Sequence, residues 1–317
     1  MSFRVVNPKQ LVPEAEDLLK QNGIEVIRPK GPSKEELLLA VADADALIVF
    51  LSPEYTIDSE VISSGKRLKL IARFGAGVDN IDIRAAREAG ITVTYTPDAN
   101  SNSVAELALY HIIALAKNAQ IVNRRIHAGE FNEIRKLSAV ELEGKTLGLI
   151  GNGHIAGLLA KKAGYGLGMK VIGYNPHENS VFPKEIERVG TLEELLSSSD
   201  FVSIHAPANE ETVGLFGRRQ FEQMKRTAFL INTARGRIVQ EQELIRALKE
   251  GLIAGAGLDV FEEEPLGVSE LKQFDQVILT PHYGGFTNGA VVKTGLQVAE
   301  SIISVSRGET PKYIYES

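Results

Sequence analysis

Apolar residues fall along this chain in short runs separated by amphipathic stretches, and the two patterns alternate from end to end. Such alternation predicts parallel β-sheets covered by helices on both faces. In the first third, strands are predicted at Arg4–Val6, Glu25–Ile27, 46–50, 69–73 and 92–95. Helices fit between them, for example at 14–21 and 33–41, and Ser33 followed by Glu36 has the spacing of a capping box. Residues 98–103 are small and polar and read as a hinge. The mostly apolar stretch 104–118 then reads as a buried or interface helix. A second series of strands is predicted at Thr146–Ile150, Lys170–Tyr174, 201–205, 228–232, 256–260 and 277–280, with a final helix at 290–306. No short-period repeat or low-complexity tract interrupts the alternation. The expected fold is therefore α/β, with two doubly wound parallel-sheet domains.

Composition narrows the chemistry. The chain has 317 residues, a length expected to hold two domains, each large enough for its own core. The net charge is −6 and the basic pairs Lys161-Lys162, Arg124-Arg125 and Arg218-Arg219 are isolated. The basic footprint of a nucleic-acid partner is missing, so none is expected. There is no cysteine, which excludes disulfides, thiolate nucleophiles and thiolate metal sites. No metal site is expected. The N-terminus reaches charge and proline within a few residues, and no uninterrupted apolar run approaches the ~18 residues that span a bilayer. No leader and no membrane partner are expected, and the cytoplasm is the expected location.

The first candidate site is a glycine turn. Gly151-Asn152-Gly153-His154-Ile155-Ala156 follows a predicted strand and opens a predicted helix. Gly151 suits a tight turn, Gly153 a close backbone approach to pyrophosphate, and Ala156 close helix–strand packing. The helix N-terminus offers unpaired N–H groups and a partial positive charge. A glycine-x-glycine triplet is weak on its own, since others start at Gly75, Gly164, Gly166 and Gly255. Only the triplet at Gly151 has glycine or alanine three residues on and lies between strand and helix. The acid expected after the next strand is replaced by Asn175, which can bond a ribose hydroxyl but does not repel a 2′-phosphate. NAD is the expected cofactor, with NADP possible.

Three further segments end predicted strands: Ile231-Asn232-Thr233-Ala234-Arg235-Gly236, Leu258-Asp259 running to Glu264-Pro265, and Ile278-Leu279-Thr280-Pro281-His282. In an open α/β sheet, ligands bind beyond the carboxyl ends of the strands. Arg235, Glu264 and His282 can therefore converge. A guanidinium suits the carboxylate and carbonyl of a 2-keto acid, because its planar fork stays charged. An imidazole suits proton transfer, and an adjacent carboxylate favours and orients its protonated form. Singly, Arg235 could be a surface ion-pair residue, Glu264 part of a solvated acidic loop and His282 a turn histidine. Their shared position at strand ends downstream of the glycine turn favours the catalytic reading.

At these residues the chain resembles the D-isomer-specific 2-hydroxyacid dehydrogenase family, especially its D-3-phosphoglycerate-dehydrogenase-like branch. The resemblance covers nearly the whole chain and includes residues 73–82, residues 102–106, the Gly151 turn and the three segments above. It implies a discontinuous fold: a flavodoxin-like substrate domain from residues 1–99 plus 288–317, and a Rossmann-type cofactor domain from 100–287 inserted in it. It implies that Arg235 holds substrate, His282 is the acid/base and Glu264 its partner. Gly151, Gly153, His154, Ile155, Asn175, His205, Pro207, Thr233 and Ala234 would line the cofactor, Asp259 would bind the nicotinamide carboxamide, and Ser103 is a further candidate. Backbone amides at Ala76 and Gly77 would meet the substrate carboxylate. The implied small-molecule partner is a 2-hydroxy or 2-keto acid, and the implied assembly is a homodimer through the cofactor domains. His154 stands where the family often has arginine, and Asn175 where it usually has aspartate. Residues 48–54 are apolar and then acidic, without the basic residue generally found there in phosphoglycerate-oxidising relatives, so a non-phosphorylated acid is expected ahead of 3-phosphoglycerate. The chain ends shortly after the final predicted helix, so no C-terminal regulatory domain is expected. A corepressor-like protein that senses NADH through the same fold is the competing reading from another class.

Overall fold

Strands buried on both faces carry continuous apolar runs, and a computed structural model of the chain arranges them as two parallel sheets. The structure describes residues 2–51 and 54–316. It divides into two units: one from the N-terminus to Asn100 plus Gly285 onward, the other Ser101–Gly284.

The first unit contains β1 (Arg4–Val6), β2 (Glu25–Ile27), β3 (Ala46–Val49), β4 (Leu70–Arg73) and β5 (Thr92–Thr94). Their order is β2-β1-β3-β4-β5 and every pair is parallel. This is the flavodoxin-like order, reversing between β1 and β3. One face packs on Leu37, Val41, Val61, Ile62 and Ala86 from the flanking helices. The other is covered by Ala15 and Leu19 and by Val298, Ala299, Ile302 and Ile303 of the helix Asn288–Ser306, which returns from the far end of the chain. Side-chain caps fix several helix starts. Ser33 accepts from the Glu36 N–H, and Asp58 and Asp82 cap the next two helices.

The second unit contains β6 (Thr146–Ile150), β7 (Lys170–Tyr174), β8 (Glu187–Arg188), β9 (Phe201–Ile204), β10 (Phe229–Asn232), β11 (Gly255–Leu258) and β12 (Val277–Leu279). The order β12-β11-β10-β9-β6-β7-β8 is all parallel and reverses between β6 and β9. That is the Rossmann order with one strand added at an edge.

The boundary between the units, after Asn100, falls inside the hinge expected at 98–103, but the second half of that stretch is not a loop. Ser101–Ser103 form the first turn of the helix Ser101–Ala116, and Ser101 and Ser103 are buried. Small polar side chains look solvated in sequence. Ser103, however, spends its hydroxyl hydrogen on the Gly284 carbonyl at 2.5 Å, which makes its burial tolerable. Strand ends otherwise fall within two residues of those expected, and the two-residue β8 was not anticipated. Of the stretch 48–54 invoked for substrate choice, Ser52 and Pro53 lie outside the described residues. Among the described residues, no helix is long and apolar enough to cross a membrane.

Candidate active site

The strand-order reversal opens a crevice between the exits of β6 and β9, occupied by Gly151 and His205. Gly151 sits at φ +101°, and a Cβ there would lie 2.4 Å from the His205 carbonyl oxygen. Only glycine fits. Gly153 precedes the helix His154–Leu167 without a side-chain cap, and a Cβ at Gly153 would meet nothing within 4 Å. Nothing therefore crowds the backbone at the start of this uncapped helix, as the close approach of a phosphate requires. Ala156 is fully buried against the sheet, Ile155 is half-buried and His154 is exposed.

At the β7 exit, the Asn175 side chain donates to Asn152 Oδ1 (2.8 Å) and accepts from the His177 N–H (2.9 Å). It thus ties the phosphate turn to the next loop while keeping a neutral surface. Arg188, on β8, donates to the carbonyls of Glu178 (2.6 Å) and His177 (3.4 Å). No arginine follows Asn175 closely in sequence, yet the fold brings this one to the same loop. Nothing in the local motif announced it.

The β9 and β10 exits supply the next layer. His205 shares a hydrogen bond with the buried Ser203 hydroxyl at 2.9 Å. Its ring is desolvated, although part of the residue reaches solvent, and its pKa is pushed down to about 4. Pro207 is exposed and accepts from the Thr212 hydroxyl at 2.6 Å. Asn232, buried and not anticipated as a site residue, shapes the following turn by donating to the Arg235 carbonyl (2.9 Å) and accepting from the Ala234 N–H (3.0 Å). The Thr233 hydroxyl oxygen is buried without a hydrogen-bond partner among the described residues. A buried orphan hydroxyl costs about 1–3 kcal/mol, which a ligand at the strand end can relieve. The unpaired hydroxyl and the open glycine turn are both compatible with a bound dinucleotide.

The three catalytic candidates come together within this unit. His282 Nδ1 lies 2.7 Å from Glu264 Oε2, while Glu264 Oε1 accepts from the Phe261 N–H at 3.1 Å. Burial pushes the Glu264 carboxyl up, but the bond and charge of His282, the Phe261 N–H and the Arg235 charge outweigh it and leave the pKa below its ordinary value. The His282 and Glu264 side chains keep 32% and 28% exposure, so the pair remains reachable from solvent. Because Nδ1 is engaged, Nε2 is the nitrogen that can give or take a proton. Arg235 donates to the Ala234 carbonyl at 2.7 Å.

Asp259 lies beneath the loop that carries His282. Its carboxylate is almost fully buried and accepts from the Thr280 hydroxyl (2.6 Å) and the N–H groups of Tyr283 (2.7 Å) and Gly284 (2.9 Å). Burial raises its pKa, and these hydrogen bonds oppose that rise. Its backbone carbonyl receives the His282 N–H at 2.7 Å. Asp259 therefore organises the loop, and Ser103 clamps the loop's far end at Gly284. In the first unit, Ala76 and Gly77 lie in the loop after β4, where buried Arg73 donates to the carbonyls of Phe74 (2.5 Å) and Gly77 (2.6 Å).

Residues 109–284 match the family model described as D-isomer specific 2-hydroxyacid dehydrogenase, NAD binding domain. The chain belongs to the D-isomer specific 2-hydroxyacid dehydrogenase family. Across 302 residues it is 42% identical to a D-3-phosphoglycerate dehydrogenase of Methanocaldococcus jannaschii, spanning 93% of this chain but only 56% of that relative. With a glyoxylate reductase of Thermococcus litoralis it shares 38% identity over 313 residues, 92% of this chain and 93% of the relative. Among solved structures, the holo form of D-mandelate dehydrogenase from Rhodotorula graminis superimposes with a TM-score of 0.89 at 31% identity, covering 100% of this chain and 99% of that one. In this family member, then, the NAD binding domain contributes the Gly151 turn, the orphan Thr233 hydroxyl and the His282–Glu264 pair.

Proposed function

We propose that this 2-hydroxyacid dehydrogenase interconverts a small, non-phosphorylated D-2-hydroxy acid and its 2-keto acid with NAD(H), as a cytoplasmic homodimer. The bound nicotinamide supplies or accepts the hydride. The observation that carries the reading is the 2.7 Å His282–Glu264 bond, with the Arg235 charge acting on the same carboxylate.

Arg235 holds the substrate carboxylate and polarises the 2-carbonyl. In reduction, the imidazolium of His282 gives a proton from Nε2 to the carbonyl oxygen while Glu264 stabilises the charge on Nδ1. In oxidation, neutral His282 takes the hydroxyl proton through the same nitrogen, and Glu264 again compensates the charge that forms. The loop bearing Ala76 and Gly77 is proposed as a carboxylate-binding element of its own unit. Support for a dimer comes from apolar side chains left exposed on and after the helix Ser101–Ala116: Tyr110 at 48%, Ile113 at 37% and Phe131 at 58%.

The 42% identity to the M. jannaschii enzyme favours 3-phosphoglycerate as the second reading. Against it stand the apolar residues 48–51 followed by Glu54, which supply no counter-charge to a phosphate. Steady-state rates with glyoxylate, hydroxypyruvate, pyruvate and 3-phosphoglycerate decide between them. The proposal predicts the best kcat/KM for a non-phosphorylated acid, and a clear preference for 3-phosphoglycerate refutes that choice. NADH binding without turnover of any acid favours the sensor instead. Within the enzyme reading, Arg235→Ala should cost ~2–5 kcal/mol of transition-state binding while NADH still binds. Arg235→Lys should also be impaired, because the two-pronged grip is lost. Near-normal kinetics in Arg235→Ala would remove Arg235 from the mechanism.

A further inference from the structure

We infer that His111, on the helix Ser101–Ala116, is a positioning residue that aligns the acid/base loop through Thr280 and Asp259. The inference rests on reading His282 as the acid/base.

His111 is fully buried, and its ring packs where a Cβ on Gly257 of β11 would come within 2.7 Å of its own Cβ. Nε2 lies 3.4 Å from the Thr280 hydroxyl. That hydroxyl is 2.6 Å from Asp259 Oδ1 and gives it its single hydrogen. Thr280 Oγ1 therefore has only lone pairs to offer the ring, so the histidine must donate from Nε2. Nδ1 is then the bare acceptor, and it is the nitrogen left without a partner among the described residues. Asp259 passes the alignment on by accepting from the Tyr283 and Gly284 N–H groups and, with its carbonyl, from the N–H of His282.

The loop needs such anchoring. His282 is held at φ +53°, a left-handed conformation that is uncommon outside glycine although histidine enters it more readily than most residues, so contacts that fix the loop help to keep it there. Ser103, on the same helix, clamps the Gly284 carbonyl at 2.5 Å. One helix thus grips both ends of the Thr280–Gly284 segment, at Ser103 and at His111. A histidine that merely filled core space would behave differently. Replacing it with leucine would remove an unpaired buried nitrogen and leave stability unchanged or improved.

The test compares wild type with His111→Leu, His111→Gln and Thr280→Val by amide hydrogen exchange and steady-state kinetics. The glutamine amide nitrogen reaches about as far as Nε2 and can replace its donor. His111→Leu is expected to speed exchange of the Tyr283 and Gly284 amides about tenfold or more, without a matching rise elsewhere in the sheet. It should lower kcat by about tenfold and shift the pH–rate profile, with KM and NADH affinity within about twofold of wild type. His111→Gln should recover most of both effects. Thr280→Val interrupts the same relay in the middle and should reproduce the leucine phenotype. It also carries the test if the leucine variant does not fold. Unchanged exchange at Tyr283 and Gly284 in the folded variants overturns the inference, as does a uniform rise across the sheet. Failure of wild type to turn over any 2-keto acid would refute the dehydrogenase reading alone, because the exchange measurement reads the anchor without turnover.

Discussion

His111 and His205 lie outside the acid/base pair, and desolvation holds both neutral, each pushed down to about 4. The sign of the consequence follows from proton binding. An unfolded chain protonates these rings near pH 6.5, while the folded chain does so only near pH 4, so the unfolded state binds more protons between those values. Stability is therefore full above about pH 6.5 and falls as pH drops through that window. For His111 the loss between pH 6.5 and 5 is about 2 kcal/mol. Urea denaturation of His111→Leu at pH 7 and pH 5 should show a smaller acid loss than wild type, and equal losses would show that the ring is not held neutral. A second residue-scale prediction concerns Asn175, whose amide contacts Asn152 beside the loop that Arg188 braces. A carboxylate there would repel a ribose 2′-phosphate, so Asn175→Asp should weaken NADPH relative to NADH by about tenfold, or ~1.4 kcal/mol. Parallel titrations of both cofactors by nicotinamide fluorescence measure it, and an unchanged ratio would mean that position 175 does not read the phosphate.

At the scale of elements, the catalytic geometry depends on how closely the β10 and β11 exits approach. A Cβ on Gly236 would fall 1.8 Å from the Phe261 carbonyl oxygen, so the turn carrying Arg235 presses on the segment leading to Glu264. Gly236→Ala must push the two apart. It should cost about 1–3 kcal/mol or more in stability and at least about a hundredfold in kcat/KM. Urea midpoints and initial rates measure both, and wild-type rates would mean that the two exits can separate without harm. Strand ends such as Asn232, Leu258 and Leu279 were legible within two residues because buried parallel strands leave apolar runs bounded by turn residues. The Gly151 turn and the convergence of Glu264 with His282 were legible for the same reason. What sequence did not disclose depends on distant contacts. The polar, exposed β8 gave no apolar signal, so Arg188 was not seen to reach the Asn175 loop. Ser101 and Ser103 looked like hinge residues because their burial rests on tertiary packing, for Ser103 a bond to Gly284. That Asp259 also accepts from three donors at least twenty residues along the chain was not visible in the sequence either, because it depends on the fold of the loop that carries His282.

At the scale of the whole molecule, each core cluster draws its residues from one unit. Two clusters, built on residues such as Leu230 and Leu258 or Leu147 and Ile231, lie wholly within Ser101–Gly284. The other two belong to the N-terminal unit, and one of them depends on Val298, Ala299, Ile302 and Ile303 from the C-terminal helix. A unit with its own core can fold alone. Residues Ser101–Gly284 expressed by themselves should therefore melt cooperatively and bind NADH within about tenfold of the full chain, since the Gly151 turn and Thr233 are all internal. Ending the full chain at Gly284 should have the opposite effect on the other unit. It uncovers Ala15, Leu19, Leu70 and Ala72 and removes three large buried side chains, each contributing ~1.5–3 kcal/mol. The sum of about 5–9 kcal/mol matches the entire stability of an ordinary domain. Limited proteolysis should then degrade residues before 101 while the cofactor unit survives with its NADH affinity. An unfolded Ser101–Gly284 fragment, or a truncated chain whose N-terminal unit resists protease, would mean that the two cores stabilise each other in a way their separate composition does not show.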